Sequence, residues 1–193
     1  MNMKTKYSTH LINRQRGFTL LEVLIAMVIL AIGLFGLAGL QTASLRANTS
    51  AYQRSVASML ANDILDRMRG NILAAKSKSY DSTIGTPWTA ANAPAAPKDG
   101  SNTAKCVTNS ALQCEPGDLK DYDLNEWLTK DYKLKQLPDA QAVISSTDIT
   151  VNSEVVGAQV TVELTWNDFS YSGTKGLGGQ SSETFIYSTI IRF

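Results

Sequence analysis

The chain has 193 residues and a mass of 20.9 kDa, room for one sizeable domain or two very small ones. Its 18 Lys+Arg against 17 Asp+Glu leave a formal charge of +1, which gives no electrostatic footprint for DNA or RNA. The single histidine, His10, excludes a zinc site built on several imidazoles, and a Ser/His/Asp triad as well if His10 is removed with a leader.

Residues 1–17 hold Lys4, Lys6, Arg14 and Arg16 and no acid, so the remainder carries an acidic excess. That asymmetry orients the apolar run behind it with its amino end in the cytoplasm. From Phe18 to Leu40 the chain is almost wholly apolar, and as a helix it measures about 34 Å, enough for a hydrocarbon core of roughly 30 Å. An ordinary signal peptide is the simplest alternative. Two features oppose it. No small-x-small site follows the run, because Gly39, Leu40 and Gln41 lead straight into a helical pattern. A carboxylate, Glu22, also sits near the front of the segment, where a plain anchor has no use for a charge that lipid penalises.

The stretch Arg16-Gly17-Phe18-Thr19-Leu20-Leu21-Glu22 resembles the processing site of type IV pilins and of type II secretion pseudopilins. The resemblance implies a leader from Met1 to Gly17, cleavage between Gly17 and Phe18 by a membrane-embedded aspartyl prepilin peptidase, and N-methylation of the new terminus. Gly17, lacking a side chain, lets an extended backbone enter a narrow peptidase cleft. Once Phe18 is the terminus, its ammonium and the Glu22 carboxylate are opposite charges a helical turn apart. Between neighbouring chains the pair sets axial register, because Glu22 stays unpaired in lipid until another subunit supplies an amine. Phe18, Thr19 and Glu22 are therefore the predicted assembly residues.

Beyond Leu40, Ala43, Ala47, Ala51, Tyr52, Val56, Met59, Leu60, Ile64 and Met68 recur at steps of three and four, predicting a helix that continues against a globular domain. Asp63 and Arg67 read as a weak surface pair. Gly70-Asn71 offers a stop, with Ile72 to Ala75 able to add a turn. From Phe18 to Arg69 the helix measures about 78 Å. No strict heptad survives, which disfavours a coiled coil. Gly33, Gly36 and Gly39 flatten one face and weaken helicity; major pilins carry proline near the place of Gly39, where the helix melts on assembly.

Residues 77–104, with Pro87, Pro94 and Pro97, read as loop, pinned by packing of Trp88. Cys106 and Cys114, the only cysteines, are expected to form a disulfide after export, worth about 2.5 kcal/mol in the chain-entropy account. Asp118 to Leu128 forms the next helix, with Asp118 as its cap, Leu124, Trp127, Leu128 and Tyr132 on one face, and the acids on the solvent side. These acids lack the spacing of a calcium loop. A Cys followed by Asp-Leu-x-x-Tyr-Asp-Leu-x-x-Trp and a Leu-Pro turn resembles the PilV family, the minor pilins described as type IV pilus modification proteins. The likeness spans about residues 14–70 and 106–166.

The remainder is strand-like. Ala142 to Val151 is one strand; Val156, Ala158, Val160, Val162, Leu164 and Trp166 alternate with polar residues in a second. Thr184 to Phe193 is a third, with Phe185, Tyr187, Thr189, Ile191 and Phe193 facing inward, and the glycine-rich Ser170 to Glu183 is a mobile loop before it. The predicted class is α+β, a long amino-terminal helix whose second half packs on a small antiparallel sheet, as the pilin resemblance also implies. The segments are a leader (1–17), a transmembrane and filament-core half-helix (18–40), an amphipathic half-helix (41–75) and a periplasmic region (76–193).

The resemblance implies a single-pass inner-membrane protein with a periplasmic domain, which enters the pilus after leader cleavage. It would join other minor pilins in a priming or tip complex, alongside the major pilin, the inner-membrane assembly platform and membrane lipid, and so support twitching motility, adhesion or DNA uptake. No catalytic residue, cofactor, metal or direct nucleic-acid contact is expected. Two other readings stand beside it: a type II secretion minor pseudopilin, and an adhesin or ligand-binding module on a pilin stalk.

Overall fold

The computed structural model describes residues 17–83, 85–98, 106, 114–168 and 181–193. The predicted leader up to Arg16 and the glycine-rich stretch 169–180 lie outside the described residues, whereas Ser181 to Glu183, expected in that loop, are strand. The chain divides into two compact units, Met1–Thr42 and Ala43–Phe193.

Helix α1 runs from Leu20 to Gly70. In the first unit every described residue of it is exposed, with apolar side chains on all sides and no proline to interrupt the hydrogen-bond ladder. In the second unit it is amphipathic. Val56, Ala57, Leu60, Ala61, Ile64, Leu65 and Met68 are buried, together with the polar Gln53. Tyr52 and Met59, expected on this face, are 60% and 66% exposed, because steps of seven keep them on the side of the exposed Leu45, away from the buried face. The helix stops at Asn71, and Ile72–Lys76 (α2) adds one more turn. Lys78 closes it in the left-handed region (φ 57°), with Ser79 N–H donating to Ala74 O and Lys78 N–H to Ala75 O, a Schellman arrangement usually given to glycine.

Helix α3, Pro116–Thr129, starts two residues before the predicted cap. Pro116 fills the first position, where its missing N–H is not needed, and Asp118 lies in the first turn, favoured by the helix dipole. Leu124, Trp127 and Leu128 are buried as expected; Tyr132, beyond the helix end, is exposed. Strands β1 (Gln141–Val151), β2 (Glu154–Asp168) and β3 (Ser181–Arg192) form an antiparallel sheet in that order. Asn152 and Ser153, both at positive φ, make the tight turn between β1 and β2. A register shift between Ile149 and Thr150 leaves Val156 as an extra residue, so it is exposed rather than continuing the inward row that runs from Ala158 to Trp166. At the neighbouring Gly157 a side-chain carbon would come within 2.6 Å of the Ile191 carbonyl oxygen, so the β2–β3 approach needs glycine there. The inward faces of β1 and β2, the inward Ile191, the second half of α1 and the apolar face of α3 share one core. A long helix packed on a small antiparallel sheet is the type IV pilin fold pattern.

Candidate assembly site

Gly17, Phe18 and Thr19 precede the first helical residue. Thr19 caps the helix: its carbonyl accepts from the N–H of Glu22 (3.1 Å) and of Val23 (3.3 Å), and its Oγ1 accepts from Glu22 N–H (3.3 Å). Thr19-Leu20-Leu21-Glu22 thus has the spacing of a capping box, which gives the threonine a physical task that residue-type reasoning had missed. Glu22 lies in the first turn, where the positive end of the helix dipole favours a carboxylate. Its carboxylate has no ion-pair or hydrogen-bond partner among the described residues, and Phe18 is 83% exposed. A built side chain at Gly17 meets nothing within 4 Å, so the fold itself places no demand for glycine there. Behind this terminus, α1 is long and apolar enough to cross a membrane.

At the other end of α1 lies a cluster that the sequence reading underrated. Arg67 Nη1 contacts Asp123 Oδ1 at 3.0 Å, and its Nε stands 3.5 Å from Asp63 Oδ2, which also pairs with Lys133 Nζ at 2.9 Å. Tyr80 donates its phenol to Asp123 Oδ2 (2.7 Å), and the Asn71 amide donates to the Tyr80 oxygen (3.3 Å) and to Pro116 O (2.7 Å). Asp123 is buried, not on the solvent side as expected, and Asp63–Arg67 is one arm of a network rather than a lone surface pair. Burial opposes the Arg67 charge, but Asp63 and Asp123 together hold its pKa above the ordinary arginine value. Burial first, and then the Asp123 carboxylate, push the Tyr80 phenol well above its usual range. The network ties the end of α1, the following loop and α3 together.

The three tryptophans serve the same purpose. Trp127 donates to Leu60 O (3.0 Å), Trp166 to Gln53 Oε1 (3.2 Å) and Trp88 to Tyr80 O (3.1 Å), so each indole is satisfied while its ring fills space. Trp88 also pairs through its backbone with Ala142, which pins its loop to β1. Cys106 and Cys114 form the expected disulfide, Cα–Cα 5.3 Å, just ahead of α3. Among the described residues there is no group of three or more His, Cys, Asp and Glu arranged to hold a metal.

The family described as prokaryotic N-terminal methylation motif matches residues 12–38. This motif is typical of the type IV pilin and pseudopilin superfamily. No match was found among curated proteins or among solved structures.

Proposed function

We propose that this member of the type IV pilin and pseudopilin superfamily is a minor pilin of the PilV type. It is cleaved between Gly17 and Phe18, held in the inner membrane by the first half of α1, and drawn into a priming or tip complex with other minor pilins. The observation that carries this reading is the unspent Glu22 carboxylate, presented one turn behind the cleavage point on an exposed apolar rod. A lone charge in lipid is unfavourable, and an incoming subunit's terminal ammonium removes that penalty. The domain's role is structural: Arg67, Asp63, Asp123 and Lys133 make an internal clamp, and the chemistry in its life is performed on it by the peptidase.

The test uses the full chain in its own cell. Glu22→Ala is expected to be processed to normal size yet fall sharply in sheared fibres, whereas Gly17→Phe is expected to accumulate as an unprocessed membrane precursor. Normal incorporation of Glu22→Ala overturns the assembly role of the carboxylate. A deletion strain that loses protein secretion but keeps its pili moves the chain to the secretion apparatus.

A further inference from the structure

Four arginines stand on α1, and three of them are spent on the chain's own carboxylates. Arg54 reaches Glu183 (2.8 Å), Arg67 holds Asp123 (3.0 Å) and Asp63 (3.5 Å), and Arg69 takes Asp66 (2.6 Å). Arg46 has no side-chain hydrogen bond or ion pair among the described residues, yet it is half-buried, the first residue of α1 to lose exposure. A guanidinium carries five donors and keeps its charge at any ordinary pH, so a half-covered one without an acceptor favours an anion from outside the domain.

The place of Arg46 along the helix says which anion. Val23 to Leu45 holds no charged residue, and its 23 residues make a helix of about 34 Å, close to a hydrocarbon core of roughly 30 Å. The unbroken apolar run ends at Leu40; Arg46 follows about 9 Å further on, beside a headgroup layer roughly 5–8 Å deep. Side chains of a helix tilt toward its N-terminus, so an arginine here leans back toward that layer. The approach is compatible with lipid: Thr42 Oγ1 donates to Ala38 O (3.0 Å), which satisfies the hydroxyl without water. Phosphodiesters populate the layer, and a guanidinium binds them through paired, charge-assisted hydrogen bonds.

We propose that Arg46 binds the phosphodiester of a membrane lipid in the leaflet next to the domain, and so fixes how deep α1 sits. The proposal rests on the membrane-held part of the assembly reading, and on neither the peptidase nor Glu22. The processed full chain, labelled at its guanidinium carbons, is reconstituted in vesicles of phosphatidylethanolamine and phosphatidylglycerol, and carbon–phosphorus dipolar dephasing is read by solid-state NMR. One guanidinium signal is expected to dephase. Arg46→Gln is expected to abolish that dephasing and Arg54→Gln to leave it; if Arg46→Gln does not fold, Arg46→Lys, which keeps the charge, assigns the signal by the same loss. In frozen maltoside micelles, which carry no phosphate, added inorganic phosphate is expected to give no dephasing, and dephasing there overturns the lipid assignment in favour of a free anion. Co-flotation with the vesicles without dephasing, or dephasing that survives loss of Arg46, overturns the proposal alone. A chain that does not float with the vesicles overturns the membrane reading beneath it. The Gly17 and Glu22 tests are read in cells and fibres and fail separately.

Discussion

The two halves of α1 obey opposite rules. Between Leu20 and Thr42 every residue is exposed, although the side chains are overwhelmingly apolar; between Tyr52 and Met68 one face is buried and the other carries Tyr52, Arg54, Met59 and Asp66 in the open. The first half is therefore written for surroundings that the chain does not supply, and the second for a core that it does. The same α-helical ladder serves both because helix hydrogen bonds are satisfied internally in lipid and in water alike.

Paired substitutions break or sharpen that contrast. Trp127→Ala in the second unit removes a fully buried indole and its bond to Leu60, and is expected to destabilise the domain by about 4 kcal/mol in urea unfolding of the detergent-solubilised chain. Leu34→Ala, an apolar truncation in the first half, is expected to shift the same transition by less than about 0.5 kcal/mol. Equal shifts would erase the distinction. Asp123→Asn leaves Arg67 with Asp63 as its remaining carboxylate partner and is expected to lower stability by about 3 kcal/mol in the same measurement. Cys106→Ser is expected to lower it by about 2.5 kcal/mol and to expose one thiol, at Cys114, to a thiol reagent. The smallest effect concerns pH. Folding raises the pKa of Tyr80, so its contribution to stability is full below about pH 10 and is lost as the pH climbs through the folded-state value. Tyr80→Phe is expected to flatten this alkaline loss in denaturation curves recorded above pH 10.

The strands were legible because their side chains alternate with a strict period of two, and the placement of Ala158 to Trp166 follows from that pattern alone. Val156 escaped because a bulge inserts one residue without leaving a compositional mark. Tyr52 and Met59 misled because apolar residues at helical spacing mark a face only when the face is known; here they stand among polar residues on the exposed side. Asp123 looked like one more solvated acid among Asp118, Asp121 and Glu126, and its partners Tyr80 and Arg67 lie 43 and 56 residues away, beyond any local pattern. Gln53 is the mirror case, a polar residue buried because the Trp166 indole needs an acceptor. At the amino terminus the motif residues were legible one by one; what the structure adds is that Thr19 closes the helix start while the glutamate side chain has no partner among the described residues.

The earliest residue of α1 to lose exposure is Arg46, and every fully covered one lies at Gln53 or later. A polypeptide begun at Ala43 would thus shed the continuous exposed apolar stretch of α1 while retaining the whole hydrophobic interior. Solubility and foldability are consequently separable by a single cut, even though both are inscribed on one helix.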